Sequence, residues 1–125
     1  MTFAYWCILL AALLPYLTIA APKVRPDFDN NRPRDWEEKL DGWRKRLYWA
    51  HQNAFEAFPP FAAAVIVAHL AGAPQARIDV LAGAFIVVRV AYAWCYYADR
   101  ASLRSIVWVA GIGCVIGLFV VAGLA

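Results

Sequence analysis

The sequence predicts an all-α fold, an integral membrane bundle of four spanning helices, and three observations carry that prediction. Apolar residues make up 63% of the 125 positions, above the roughly 45–50% of soluble domains. They gather into four stretches, each long enough to cross the roughly 30 Å of a bilayer core. Of the 12 Lys and Arg residues, 8 lie between Lys23 and Arg46, and most of the remaining sequence is close to charge-free. The length bounds the chain to one domain, residues 1–125.

The first span runs from Phe3 to Ala21, about 28 Å as a helix. The pair Ala20-Ala21 resembles the end of a cleaved signal peptide. However, no Lys or Arg precedes Lys23 and the apolar run is too long, so the segment is expected to stay as a membrane helix. Residues Pro22 to Asp41 form the hydrophilic connection, a loop in which Pro22, Pro26 and Pro33 prevent a continuous helix. A second helix is expected from Asp41 or Gly42 to Ala71, stopped by Gly72, Ala73 and Pro74. At about 45 Å it exceeds the bilayer core, so Arg44, Lys45 and Arg46 project into water or headgroups, and Pro59 and Pro60 should kink it. The third span covers about Ile78 to Ala98 and the fourth about Ser105 to Leu124, with a short link between them that implies antiparallel neighbours. Gly111, Gly113, Gly117 and Gly123 on the last span permit close helix approach.

Bases count 8 on the first connection and 2 on the third (Arg100, Arg104), against 1 on the second (Arg77). The positive-inside rule therefore puts loops 22–41 and 99–104 in the cytoplasm and both termini outside. The formal net charge of +3 comes with no isolated basic face and no recognition module, which excludes a nucleic-acid partner. Cys7, Cys95 and Cys114 sit inside apolar stretches at spacings that suit neither a metal site nor a disulfide, so they read as buried thiols. Trp6, Trp43, Trp49, Trp94 and Trp108 read as interface-belt or packing residues, and His69 as interfacial.

The functional candidates are the polar residues inside the spans, because a charge at the centre of a membrane helix costs on the order of 2.5–3.5 kcal/mol on insertion scales. His51, Asn53 and Glu56 lie just inside the cytoplasmic boundary of the second span, and spacings of seven and three put Arg46, Asn53 and Glu56 on one side. Arg89, Tyr92 and Tyr96 stack along one stripe of the third span. Arg89 is about 15 Å below the third connection, so it must face the bundle and find an anion, for which Glu56 is the expected partner. Arg104 and Ser105 are expected to open the fourth helix, where free amides and the helix dipole favour an anion. A Glu56–Arg89 pair could be structural only, but the number of polar groups at similar depth reads better as a polar ligand pocket.

Three segments carry a family likeness: A-H-Q-N-A-F-E-A-F-P at Ala50 to Pro59, R-V-A-Y-A-W-C-Y at Arg89 to Tyr96, and L-R-S-I-V-W at Leu103 to Trp108. Together they resemble the MAPEG family, the membrane-associated proteins in eicosanoid and glutathione metabolism, from about Arg46 onward. The resemblance implies a homotrimer that binds glutathione between subunits near the cytoplasmic face. It implies that His51, Asn53, Glu56, Arg89, Tyr92 and Tyr96 hold the tripeptide, with Arg46 as a further base, and that Arg104 and Ser105 stand near its thiol. The implied activity is a glutathione-dependent transferase or peroxidase, using lipophilic substrates that enter from the membrane lipids. The alternatives are a non-catalytic lipid-binding member of the family and a small transporter or unrelated structural membrane protein; the absence of inverted halves disfavours the transporter.

Overall fold

The computed structural model describes residues 1–125 and contains five helices: α1 (Phe3–Ala20), α2 (Pro33–Glu38), α3 (Gly42–Leu70), α4 (Gln75–Tyr97) and α5 (Ala101–Gly123). All but α2 are long and apolar enough to cross a bilayer. In lipid a helix is the natural solution, because it satisfies its backbone donors and acceptors internally. α3 continues through Pro59 and Pro60 as one element, although each proline leaves the carbonyl four residues earlier without its intrahelical donor.

Local chemistry sets the ends. α3 closes on Gly72 (φ 78°), with Gly72 N donating to His69 O at 3.1 Å and Ala73 N to Ala68 O at 3.1 Å. This paired cap needs a left-handed residue at its turn, which glycine supplies without steric penalty. α4 closes in the same way, with Arg100 N donating to Cys95 O at 2.9 Å, but here the left-handed position holds Asp99 (φ 58°). The expectation that 22–41 is a loop is corrected at one place: Pro33 starts the single short helix α2, in keeping with the preference of proline for a first helical turn. Glu37 of α2 is buried and pairs with Lys23 at 3.1 Å.

α3 and α4 pack on each other and on both remaining long helices, while α1 and α5 do not touch. The cross-section is therefore a rhombus with α3 and α4 across its short diagonal. The main core is drawn from the start of α1 (Ala4, Cys7), the end of α3 (Phe61, Val65), the start of α4 (Ile78, Phe85) and the end of α5 (Val115, Leu118). That pattern makes the helices alternate in direction and puts the close-packed apolar core at the end that holds both termini. Phe61 and Phe85 form its upper boundary, next to the polar half, as parallel rings 3.9 Å apart. Polar residues occupy the other half, beside the 22–41 and 99–100 connections.

Candidate functional site

The polar half is organised around Arg89, which is only 4% exposed. α4 presents Phe85, Arg89, Tyr92 and Tyr96 at spacings of four, three and four, so they form one row facing inward. Arg89 Nη2 donates to Asn53 Oδ1 at 2.7 Å, and Asn53 Nδ2 donates to Glu56 Oε2 at 3.1 Å. The expected direct partnership of Arg89 with Glu56 is thereby corrected. Asn53 stands between them because its amide offers an acceptor to the guanidinium and a donor to the carboxylate. Glu56 itself is exposed on the surface of the bundle, about 21 Å along the helix from either end of α3. Arg89 Nε is buried and has no hydrogen-bond partner.

Above Arg89 runs a ladder of rings and guanidiniums. The Arg89 guanidinium lies 4.4 Å from the centre of the Tyr92 ring, Tyr92 meets Tyr96 edge-on at 5.3 Å, and Arg104 of α5 lies 4.3 Å from the centre of Tyr96. Each ring face attracts its cation electrostatically, more strongly away from water. Two guanidiniums on different helices are thus held in one row by two phenol rings. Trp49 of α3 closes the row from the side, its ring 6.3 Å from that of Tyr96.

Arg46 has a different place from the one expected of a ligand-binding base. Its Nε donates to Tyr96 O at 2.8 Å and its Nη2 to Tyr97 O at 3.1 Å. These are terminal carbonyls of α4, which lack intrahelical donors and carry the negative end of the helix dipole. His51 is not brought to the cluster. Its Nδ1 bonds Pro15 O of α1 at 2.6 Å, and its ring stacks near Tyr48 and meets Phe55 edge-on, on the side of α3 away from α5. Ser105 does not open α5, which begins four residues earlier at Ala101. Its hydroxyl donates back to Ala101 O at 3.3 Å, a bond that short polar side chains make inside helices.

Two cavities flank the row. One, of about 170 Å³, lies below Arg89 among Asn53, Glu56, Pro60, Phe85, Trp108 and Gly111. The other, of about 290 Å³, lies beside Tyr92, Tyr96, Arg104, Ser105 and Trp108. Trp108 borders both, a role hidden by its reading as a belt residue; its spacing of four from Arg104 was the available signal. Asp79 also went unnoticed in the sequence. It accepts hydrogen bonds from Ala4 N at 2.9 Å and Gln75 Nε2 at 2.8 Å, and so tethers the first turn of α1 to α4.

The arrangement offers a carboxylate, an amide and two guanidiniums along one face that is open toward the side of the bundle. It suits a zwitterionic or polyanionic ligand with an apolar neighbour. No curated protein and no solved structure matches the chain. The sequence profile of the MAPEG family matches residues 3–124, nearly the whole chain, and with its four apolar helices this multi-pass integral membrane protein belongs to the MAPEG family.

Proposed function

We propose that the protein is a glutathione-dependent transferase or peroxidase acting on lipophilic electrophiles or lipid hydroperoxides, and that it works as a homotrimer. The observation that carries this reading is the chain Arg89–Asn53–Glu56, ending in a carboxylate exposed at the middle of a spanning helix. Left against lipid, that carboxylate would cost several kcal/mol. A neighbouring copy and a charged ligand remove the cost together.

The residues fit glutathione, which carries two carboxylates and one ammonium. Glu56 suits the ammonium, having accepted one hydrogen bond from Asn53 at only one of its oxygens. Arg89, with an unpartnered Nε, and the phenols of Tyr92 and Tyr96 suit a carboxylate end. When bound, glutathione supplies a thiol nucleophile. Arg104, held over Tyr96, favours the charged form of a nearby thiol. Ser105 contributes a hydrogen bond once it releases Ala101 O. In the orientation that follows from the basic connections, with loops 22–41 and 99–104 cytoplasmic and both termini outside, the site opens near the cytoplasmic face.

A calorimetric titration of the purified protein with glutathione, joined to thiol consumption with a chlorinated aromatic or a lipid hydroperoxide, tests the reading. Binding that disappears in Glu56→Gln, with turnover in the wild type, supports it; no binding removes it. The second reading, a non-catalytic lipid-binding member, is favoured by two groups being engaged already: Arg46 on the α4 carbonyls and Ser105 on Ala101 O. Glutathione binding without thiol consumption would select it.

A further inference from the structure

Arg77, in the first turn of α4, is the only Lys or Arg at the end of the bundle that holds both termini. It is exposed and takes part in neither of the two ion pairs of the chain, Lys23–Glu37 and Arg25–Asp27. The nearest carboxylate in sequence, Asp79, points elsewhere. It lies two residues on, about 200° around the helix, and accepts hydrogen bonds from Ala4 N of α1 and from Gln75 Nε2.

Beside Arg77, α4 and α5 leave a furrow of about 420 Å³, lined otherwise by Ala76, Val80 and Leu81 of α4 and Val121 of α5. Small residues shape it. Leu81 Cδ2 lies 3.2 Å from where a Cβ on Gly117 would stand, so the two helices touch there and bound the furrow, while Ala76 withholds the bulk that would fill it. An apolar stripe continues from it along α4, where Val80, Ala84, Val87, Val90 and Trp94 recur at spacings of three and four and are all exposed. Arg77 begins this stripe and is its charged member. The furrow belongs to α4 and α5, whereas Asn53 and Glu56 stand on the α3–α5 side. A neighbouring copy seated at Glu56 therefore leaves the furrow facing lipid.

Apolar surface alone selects nothing here, because an acyl chain is as well accommodated in the bilayer as in the furrow. The charge does select. A guanidinium matches a phosphate through two parallel N–H bonds, and an unpaired cation at the end of a span favours a headgroup of net negative charge over a zwitterionic one. We propose that the furrow is a binding site for one anionic phospholipid, its phosphate on Arg77 and one acyl chain laid along Val80, Leu81 and Val121. The site is independent of the thiol chemistry proposed above.

Phosphatidylglycerol with a diazirine on the upper carbons of one acyl chain provides the probe, and phosphatidylcholine with the same chain provides the comparison. Each is added in increasing mole fraction to the full-length protein in phosphatidylcholine nanodiscs, and the photolabelled residues are mapped by mass spectrometry. Expected is saturable labelling of Val80, Leu81 or Val121, with half-saturation about fivefold lower for the anionic probe, the factor that one base contributes toward an anionic lipid. Arg77→Gln should abolish that preference. Arg100→Gln removes the same charge from an exposed base at the other end of the bundle and should leave it intact. Ala76→Trp, at an exposed position, fills the furrow and should remove most of the labelling with both probes. Labelling that keeps rising with mole fraction and spreads over exposed Leu13, Val87 and Phe119 overturns the proposal, as does an anionic preference that persists in Arg77→Gln. Protection of Val80 and Val121 that grows with the number of chains per nanodisc also overturns it, since a second copy is then the occupant.

Discussion

Arg89 Nη2 lies 2.7 Å from Asn53 Oδ1, and through that one bond a buried cation on α4 is joined to α3 by a neutral side chain. The geometry leaves Glu56 exposed at the bundle surface, with Asn53 as its only hydrogen-bond partner, which a direct Arg89–Glu56 pair would not do. Asn53→Leu strands a buried guanidinium and should lower stability by about 2–3 kcal/mol, in the range for leaving a buried charged group without its hydrogen-bond partner. Asn53→Asp restores the acceptor for Arg89 but loses the donor to Glu56 and sets two carboxylates side by side, so it should recover only part of the loss. Thermal unfolding in detergent, followed by circular dichroism, measures both.

Arg46 acts on the end of α4. Losing its two bonds to Tyr96 O and Tyr97 O should reduce stability by about 1 kcal/mol, the charge-assisted value discounted for partial exposure. Arg46→Lys should recover only part, since one ammonium reproduces the forked geometry poorly. Amide hydrogen exchange at Ala98 to Arg100 should quicken in Arg46→Ala, because the turn that follows is released.

Arg104 is predicted to act on the rate. In Arg104→Ala, kcat with a lipophilic electrophile should fall by about 10²-fold, the scale for removing one group that stabilises developing charge, while the dissociation constant for glutathione changes little. Unchanged turnover would exclude a role for the guanidinium at the thiol. Ser105→Ala should give a smaller fall, since the hydroxyl must first leave Ala101 O.

The turn at Asp99 gives a stabilising substitution. With φ at 58° and no function in the row of site residues, Asp99→Gly should raise stability by about 0.5–1 kcal/mol, the left-handed penalty removed. A rise in the melting midpoint with unchanged ligand affinity is the expected result.

At the far end, Asp79→Ala removes the acceptor for Ala4 N and Gln75 Nε2. The start of α1 then has an unmet donor in an apolar setting, and stability should fall by about 1 kcal/mol, as when a helix cap is lost. Hydrogen exchange at Ala4 should accelerate while exchange at Arg89 stays the same.

How much of the protein was legible in its sequence depends on which physical effect decides each feature. Hydropathy alone located the four long helices, with α3 ending at Leu70 beside the expected Ala71 and α5 beginning at Ala101, four residues before the expected Ser105. Hydropathy fails at such an end because Ser102 and Arg104 lower the local average without preventing helix. Helical spacing similarly placed Arg89, Tyr92 and Tyr96 on one row, as the ring and guanidinium contacts bear out.

The rows were readable in advance: apolar lengths fix where the chain crosses lipid, and residue spacing fixes which side chains share a face. What each row meets came from the packing of helix on helix. Asn53 rather than Glu56 reached Arg89, His51 turned to Pro15 on α1, and Arg46 closed the end of α4. Trp108 came to stand between two cavities. Helix periodicity is set by local backbone geometry, whereas the partner of each face depends on the distance and rotation between helices, which the packing of Phe61, Phe85 and their neighbours establishes.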